Sequence, residues 1–372
     1  MDSKFDEIRP YNDAEVVAAA KRMAVSPTIY MFEEFLFKDK SRGYLSSFMM
    51  DIKGVSDFQE KVMTQIVDRT IALTTSGLTV SGIENFRRSD GSIGNFLLIS
   101  SHRDIVLDPA FVQVTLFKNG IPMTEIAAGD NLIDVPSVGD LIRSNRMIVV
   151  KRSGTAKELY NSAALLSSYI REKIAEQSCS IWLAQKQGRS KDGHDATEQG
   201  LLKMLSMSGK GSFVDDFEEL QIMPMAISYE YETCGALKAH ELMIRNRDGC
   251  YTKKRGEDLA SMISGIQQFK GRVHLEFCKP ITREELMEAD SAGKNERFRA
   301  LASIIDSRIL PAFKLWPTNY IAADMLTGNR RFSSHYTSRQ KEEFIAHIAR
   351  EVEGMPEGVK EILLGIYSAH VL

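Results

Sequence analysis

Residues 95–120, NFLLISSHRDIVLDPAFVQVTLFKNG, set the fold of this chain. Phe96-Leu97-Leu98-Ile99 is a short apolar run with the length and composition of a buried strand. Two serines, a histidine and two acids follow, and Pro109 then opens an apolar-periodic segment from Ala110 to Phe117. Asp108 before Pro109 is a helix-start signal. The residue preceding a proline is pushed out of the helical region, aspartate is a good N-cap, and proline suits the first helical position. The stretch therefore predicts strand, loop and helix, with Ser100 to Asp108 leaving the carboxyl end of the strand. In open α/β sheets ligands bind at that place. A histidine there can act as a general base, because its ordinary pKa leaves it mostly neutral at pH 7, and a carboxylate can hold its tautomer. A plainer reading makes Asp108 only a cap and His102 only a polar loop residue. These residues alone leave both open.

The 372 residues suffice for one large domain or two with a sizeable core. A composition of 43% hydrophobic and 26% charged residues is that of an ordinary globular protein. The net charge of −3 argues against a mainly electrostatic nucleic-acid binder. Cys179, Cys234, Cys250 and Cys278 lie far apart, without a CxxC pair, which suggests neither zinc nor a disulfide framework and fits a reducing compartment. The first residues, MDSKFDEIRPYND, are polar, unlike a signal peptide. No apolar run reaches the ~18 residues of a spanning helix, so any membrane contact is expected to be peripheral.

Around the opening stretch, residues 13–75 read as helices: Ala14 to Val25, a segment from Thr28 with Ile29, Phe32, Phe35 and Leu36 at helical spacing, and Val55 to Leu73. Leu78 to Ile83 reads as a strand, followed by a polar turn region from Glu84 to Asn95. Further strands are expected at Pro122 to Ala128, Met147 to Val150, Cys179 to Ala184, Leu220 to Tyr229 and Arg272 to Phe277. Helices are expected at Val138 to Arg143, Ala156 to Glu176 and about Ala196 to Met207. Pro224 inside its strand implies a bulge or a break in the ladder. This alternation predicts an α/β fold with a largely parallel sheet flanked by helices. The expected organisation is an N-terminal helical region at 1–77, an α/β domain at 78–281 and a helical C-terminal extension at 282–372.

Several pieces in order resemble the glycerol-phosphate and lysophosphatidate acyltransferase family. LTVSGIENF resembles the family's entry strand, SHRDIVLDPAF its histidine–aspartate motif, and IWLAQKQGRSKDG its E-G-x-R block. IMPMAISYEYE resembles the block with a proline after an apolar pair, and GRVHLEFCKPI fits the closing strand, so the resemblance covers residues 78–281. Two departures stand out. The family separates His from Asp by four residues, whereas five lie between His102 and Asp108. Either the loop bulges by one residue or Asp104 orients the histidine; the Pro and Ala that follow favour Asp108. Lys186 stands where the family has its glutamate.

The resemblance implies O-acyl transfer from a thioester without a covalent enzyme intermediate. His102 would take the acceptor's proton, and Asp108 would steady the ring. Donors for the oxyanion would come from N–H groups at the helix start or in the Gly188 loop. Arg189, with a secondary part for Arg152, would grip a phosphate or carboxylate, alongside Gly188 and Lys186 as further acceptor contacts. The implied acceptors are glycerol-3-phosphate or a lysophospholipid, the co-substrate acyl-CoA or an acylated acyl carrier protein, and no cofactor or metal is expected. A lyso-aminolipid acceptor, which Lys186 would suit, and a non-catalytic lipid- or partner-binding descendant are the alternatives. The kinase-like string His102-Arg103-Asp104 is set aside because Pro109 stands where the catalytic asparagine would be, and neither G-x-S-x-G nor HExxH occurs. A lipid product places the protein at the cytoplasmic, inner face of a membrane. Candidate contacts are the aromatic helix near Tyr30 to Phe37, the basic run Lys253-Lys254-Arg255 and the C-terminal GVKEILLGIYSAHVL.

Overall fold

The computed structural model describes residues 4–133, 136–254 and 256–372. Its centre is a seven-stranded sheet of β1 (Gly77–Ser81), β2 (Leu97–Ser100), β3 (Glu125–Gly129), β4 (Met147–Val150), β5 (Ile181–Ala184), β6 (Ile222–Tyr229) and β7 (Arg272–Phe277), in the order β1-β7-β6-β2-β5-β3-β4. Every neighbouring pair is parallel except β6 with β7. The α/β sheet flanked by helices is therefore as the sequence pattern predicts. Every residue of β2 and β6 is buried, which explains their continuous apolar runs: parallel strands covered on both faces have no solvent side to mark.

Pro224 does not interrupt its strand. Its carbonyl accepts from Cys278 N at 2.9 Å, just past the last β6–β7 pair, Met225 with Phe277. The missing N–H points to the same side, where the ladder has already ended. No bulge is needed.

Before the sheet lies a helical bundle: Asp13–Met23, Pro27–Leu36, Tyr44–Met50 and the run from Val55 to Thr74. Ser26 caps the second helix, with Pro27 in its first turn. Ala20, Ile29, Leu36, Phe58 and Ile66 form its core together with Leu141 of the following domain. The aromatic helix thus spends its apolar face within the molecule. Tyr44–Met50 is a helix within the region 13–75 read as helical, though no named segment covered it. Its free amides are met by a remote side chain: buried Glu33 accepts from Gly43 N and Leu45 N at 2.8 Å and from Ser46 N at 3.2 Å. The Val55–Thr74 run widens to π geometry at Gln59–Met63. There Gln59 bonds Asn145 (3.2 Å) and Arg146 (2.8 Å), tying bundle to sheet.

Beyond residue 282 the described elements are helical, as expected. The helix Arg297–Ala312 enters the main core, where Leu301 and Ile305 join Leu97 and Ile222. Val359–Ser368 is also docked, through buried Val359, Leu363, Ile366 and Tyr367. Of the basic run, Arg255 lies outside the described residues.

Candidate active site

Strands β2, β5, β3 and β4 are parallel neighbours, so their carboxyl ends open onto one edge of the sheet. His102 follows β2, Asn131 follows β3, Arg152 follows β4, and Gly188 with Arg189 follows β5. Sequence-distant loops meet there because the strand order places them side by side.

His102 Nδ1 lies 2.9 Å from Asp108 Oδ2. The same oxygen accepts the amides of Arg103 (2.6 Å) and Asp104 (2.9 Å), while Oδ1 accepts the Tyr229 hydroxyl at 2.7 Å. Four donors converge on one buried carboxylate, which makes the proton on His102 sit at Nδ1 and leaves Nε2 as the lone-pair nitrogen. Burial, and then the Asp108 and Asp104 charges, push the Tyr229 phenol well above its ordinary range, so it remains a donor. Trp182 packs edge-on to the imidazole, with ring centroids 5.6 Å apart.

Asp108 is not the helix cap. The helix runs Leu107–Lys118, so Asp108 sits in its first turn with Pro109 next. Asp104 Oδ1 takes the amides of Val106 and Leu107, both at 2.9 Å, and supplies the cap. The two acids divide the work, and the five-residue spacing closes because the loop folds back over the Asp108 carboxylate. The β5 loop is locked to this one. Ser190 N donates to His102 O at 2.7 Å, and fully buried Arg103 donates to Gly193 O (3.1 Å) and Asp195 Oδ2 (2.5 Å). His370, near the far end of the chain, joins the pair at 2.8 Å from Arg103 Nη2.

A polar pocket of about 630 Å3 is lined by His102, Trp182, Gly129, Arg152, Gly188 and Arg189. Four of the expected site residues, besides Asp108 behind the imidazole, therefore come together. Gly188 has φ +78°, a conformation that glycine adopts without strain. Burial lowers the Arg152 pKa, opposed by the Asp130 and Asp258 charges. An anion arriving beside it would be stabilised.

Lys186 departs from expectation. It does not line this pocket, and its ammonium donates to His194 O at 2.9 Å. Two other lysines take part that the sequence reading did not assign to the site. Lys191, paired with Glu241, and Lys253, 2.5 Å from Asp258, both line the pocket. Burial lowers the Lys191 pKa against the pull of Glu241. Lys191 sits two residues after Arg189, a spacing that could have signalled it; Lys253 belongs to the basic run read as a membrane contact, and its separation in sequence hid its place in the pocket.

Beside the polar pocket is an apolar one of about 850 Å3. The two share Ile105, Pro109, Ile126, Ala128 and Leu132 as a common wall. The apolar pocket continues past Met31, Phe32 and Met63 of the N-terminal bundle to Met262 and Ile266. The His102 imidazole thus lies where a cationic chamber adjoins an apolar one.

Residues 77–228, which contain His102, Arg152 and Arg189, match the model of the acyltransferase family. Among curated proteins it is similar to glycerol-3-phosphate acyltransferases. It is 26% identical over 216 residues to that of Pseudomonas paraeruginosa, covering 57% of this chain and 24% of the relative. With that of Pseudomonas fluorescens strain SBW25 it is 23% identical over 289 residues, covering 74% and 33% respectively. The chain thus spans between a quarter and a third of the length of these relatives. Among the described residues no helix is long and apolar enough to cross a membrane.

Proposed function

We propose that this protein transfers a fatty acyl group from a thioester to a hydroxyl of glycerol-3-phosphate. The observation that carries this reading is the place of the His102–Asp108 pair, at the junction of an apolar pocket and a cationic one. The acyl chain lies in the apolar pocket, and the acceptor's phosphate meets Arg189, Arg152 and Lys191, where guanidinium forks suit phosphate oxygens.

An alcohol attacks a thioester poorly until its proton leaves. His102 Nε2 takes that proton as the acceptor oxygen bonds to the carbonyl carbon, and Asp108 stabilises the resulting imidazolium. The tetrahedral oxyanion collapses, the carbon–sulfur bond breaks, and the thiolate recovers the proton from His102. Asp104 already engages the amides of Val106 and Leu107, so the oxyanion's donors come from the Gly188 loop. The donor is acyl-CoA or acylated acyl carrier protein, and the lipid product leaves from a protein docked peripherally on a membrane. Lys186, the residue that suited a carboxylate-bearing lyso-aminolipid, lies away from the pocket and lends that acceptor no support.

Purified protein offered long-chain acyl-CoA or acyl-carrier-protein with glycerol-3-phosphate yields the acylated product by mass spectrometry. His102→Ala, with an unchanged melting curve, lowers the rate by ~10²–10⁴-fold. Transfer that survives in the alanine variant rejects this mechanism, and a folded wild type inactive with both donors rejects the reading.

A further inference from the structure

We propose that Asn131 reads a second hydroxyl on the acceptor, so that the site prefers glycerol-3-phosphate to a monohydroxy phosphate; this deepens the acyltransferase reading and rests on it. Asn131 lies in the short turn Asp130–Leu132 that follows β3. Its Nδ2 donates to Asp258 Oδ2 at 2.8 Å, and the other Asp258 oxygen takes the Lys253 ammonium. Burial would raise the Asp258 carboxyl, but Lys253, Asn131 and the Arg189 charge hold it below its ordinary value. An amide nitrogen fixed on a carboxylate settles which end is which. Oδ1 is turned the other way.

That oxygen is buried and has no hydrogen-bond donor. Its place is set by Gly129, which lines the polar pocket. A Cβ added at Gly129 would come within 2.5 Å of Asn131 Oδ1 and 2.3 Å of Arg152 Nε. Glycine at 129 therefore leaves room for both groups, side by side at the pocket wall. Across the same pocket, Arg189 Nη1 is buried without an acceptor.

The unmet groups describe a ligand. The guanidinium N–H calls for an anionic oxygen, and the amide oxygen calls for a donor. A cationic donor is disfavoured beside Arg152 and Arg189, which leaves a hydroxyl. The reacting hydroxyl gives its proton to His102, so Asn131 must be served by another. Glycerol-3-phosphate has two hydroxyls; lysophosphatidate has one, which the reaction uses. A site with a buried acceptor discriminates against the analogue that leaves it unpaired, here by roughly 10- to 100-fold.

The test compares glycerol-3-phosphate with 3-hydroxypropyl phosphate and 2-hydroxypropyl phosphate, each lacking one hydroxyl. For the wild type, kcat/KM is about 10- to 100-fold lower on the better analogue. Asn131→Ala lowers glycerol-3-phosphate by the same factor and leaves the analogues within about twofold. Equal use of all three by the wild type overturns the inference while leaving the acyltransferase reading intact. An equal loss on all three in the variant also overturns it, making Asn131 a support for Arg152. Should no acceptor be acylated, the acyltransferase reading fails, and calorimetric binding of the same three phosphates decides the inference: tighter binding of glycerol-3-phosphate that Asn131→Ala abolishes upholds it, and equal binding overturns it.

Discussion

Asp108 is held through both oxygens, Oδ2 by three donors and Oδ1 by one. Its partners come from its own loop and from Tyr229 on β6, so the imidazole's orientation depends on a residue more than a hundred positions away. Tyr229→Phe removes one donor and leaves Asp108 Oδ1 buried and unpaired, at a cost of about 1–3 kcal/mol. We expect a lower urea midpoint, with kcat down and the acceptor KM nearly unchanged; a larger change in KM than in kcat would contradict this. The histidine–aspartate pair was legible because both members lie on one short loop. Tyr229, Trp182 and Asn131 were not, since each joins the site through the strand order. The acid that faces the ring was legible, because the Pro and Ala after Asp108 favoured it; the cap was not, since Asp104 reaches forward to the first amides while Asp108 lies inside the first turn. Lys186 was misplaced for a similar reason. Sequence register put it in an acceptor block, but its side chain turns to His194.

The elements that looked least chemical shape the apolar chamber. Met31 and Phe32 on Pro27–Leu36 and Met63 in the widened turn Gln59–Met63 complete a wall that the sheet domain does not close by itself. Met63→Trp fills part of that space. Each acyl methylene displaced from it loses ~0.8 kcal/mol, about fourfold in affinity. The variant is therefore expected to favour shorter acyl donors in a chain-length series, with the KM for glycerol-3-phosphate unchanged. An unaltered chain-length profile would place the acyl group elsewhere. Strands such as Met147–Val150 and Arg272–Phe277 were plain in the sequence, through β-branched content and alternation. The helix Tyr44–Met50 was not, because its amides are satisfied by Glu33 from a different helix.

At the scale of the molecule, a histidine packed within the C-terminal helices ties stability to pH. His347 on Ser338–Glu351 packs 4.4 Å from the Tyr231 ring. Burial, helped by Arg350, pushes its pKa down to about 4. The unfolded chain protonates it near 6.5, so between those values the unfolded state binds more protons and stability drops as the pH is lowered. The contribution is complete above about pH 6.5 and declines by at most about 3 kcal/mol as the pH approaches 4. Denaturant midpoints at pH 7 and pH 4.5 should differ less in His347→Gln than in the wild type; equal differences would remove His347 as the source. The α/β class and its largely parallel sheet followed from alternation, but the reach of the C-terminal helices into the main core did not, since an amphipathic helix does not say which surface it will cover. That reach has a consequence in the order of synthesis. Arg103, next to His102, is held by Asp195 and by His370, whose ring stacks on Phe313 at 4.0 Å. Even after β5 and β6 have emerged to pair with β2, a nascent chain cannot finish the lattice around the histidine loop until residue 370 has left the ribosome. Until then Arg103 is a cation missing one of its partners, and the half-made protein carries His102 and Asp108 without the frame that positions them.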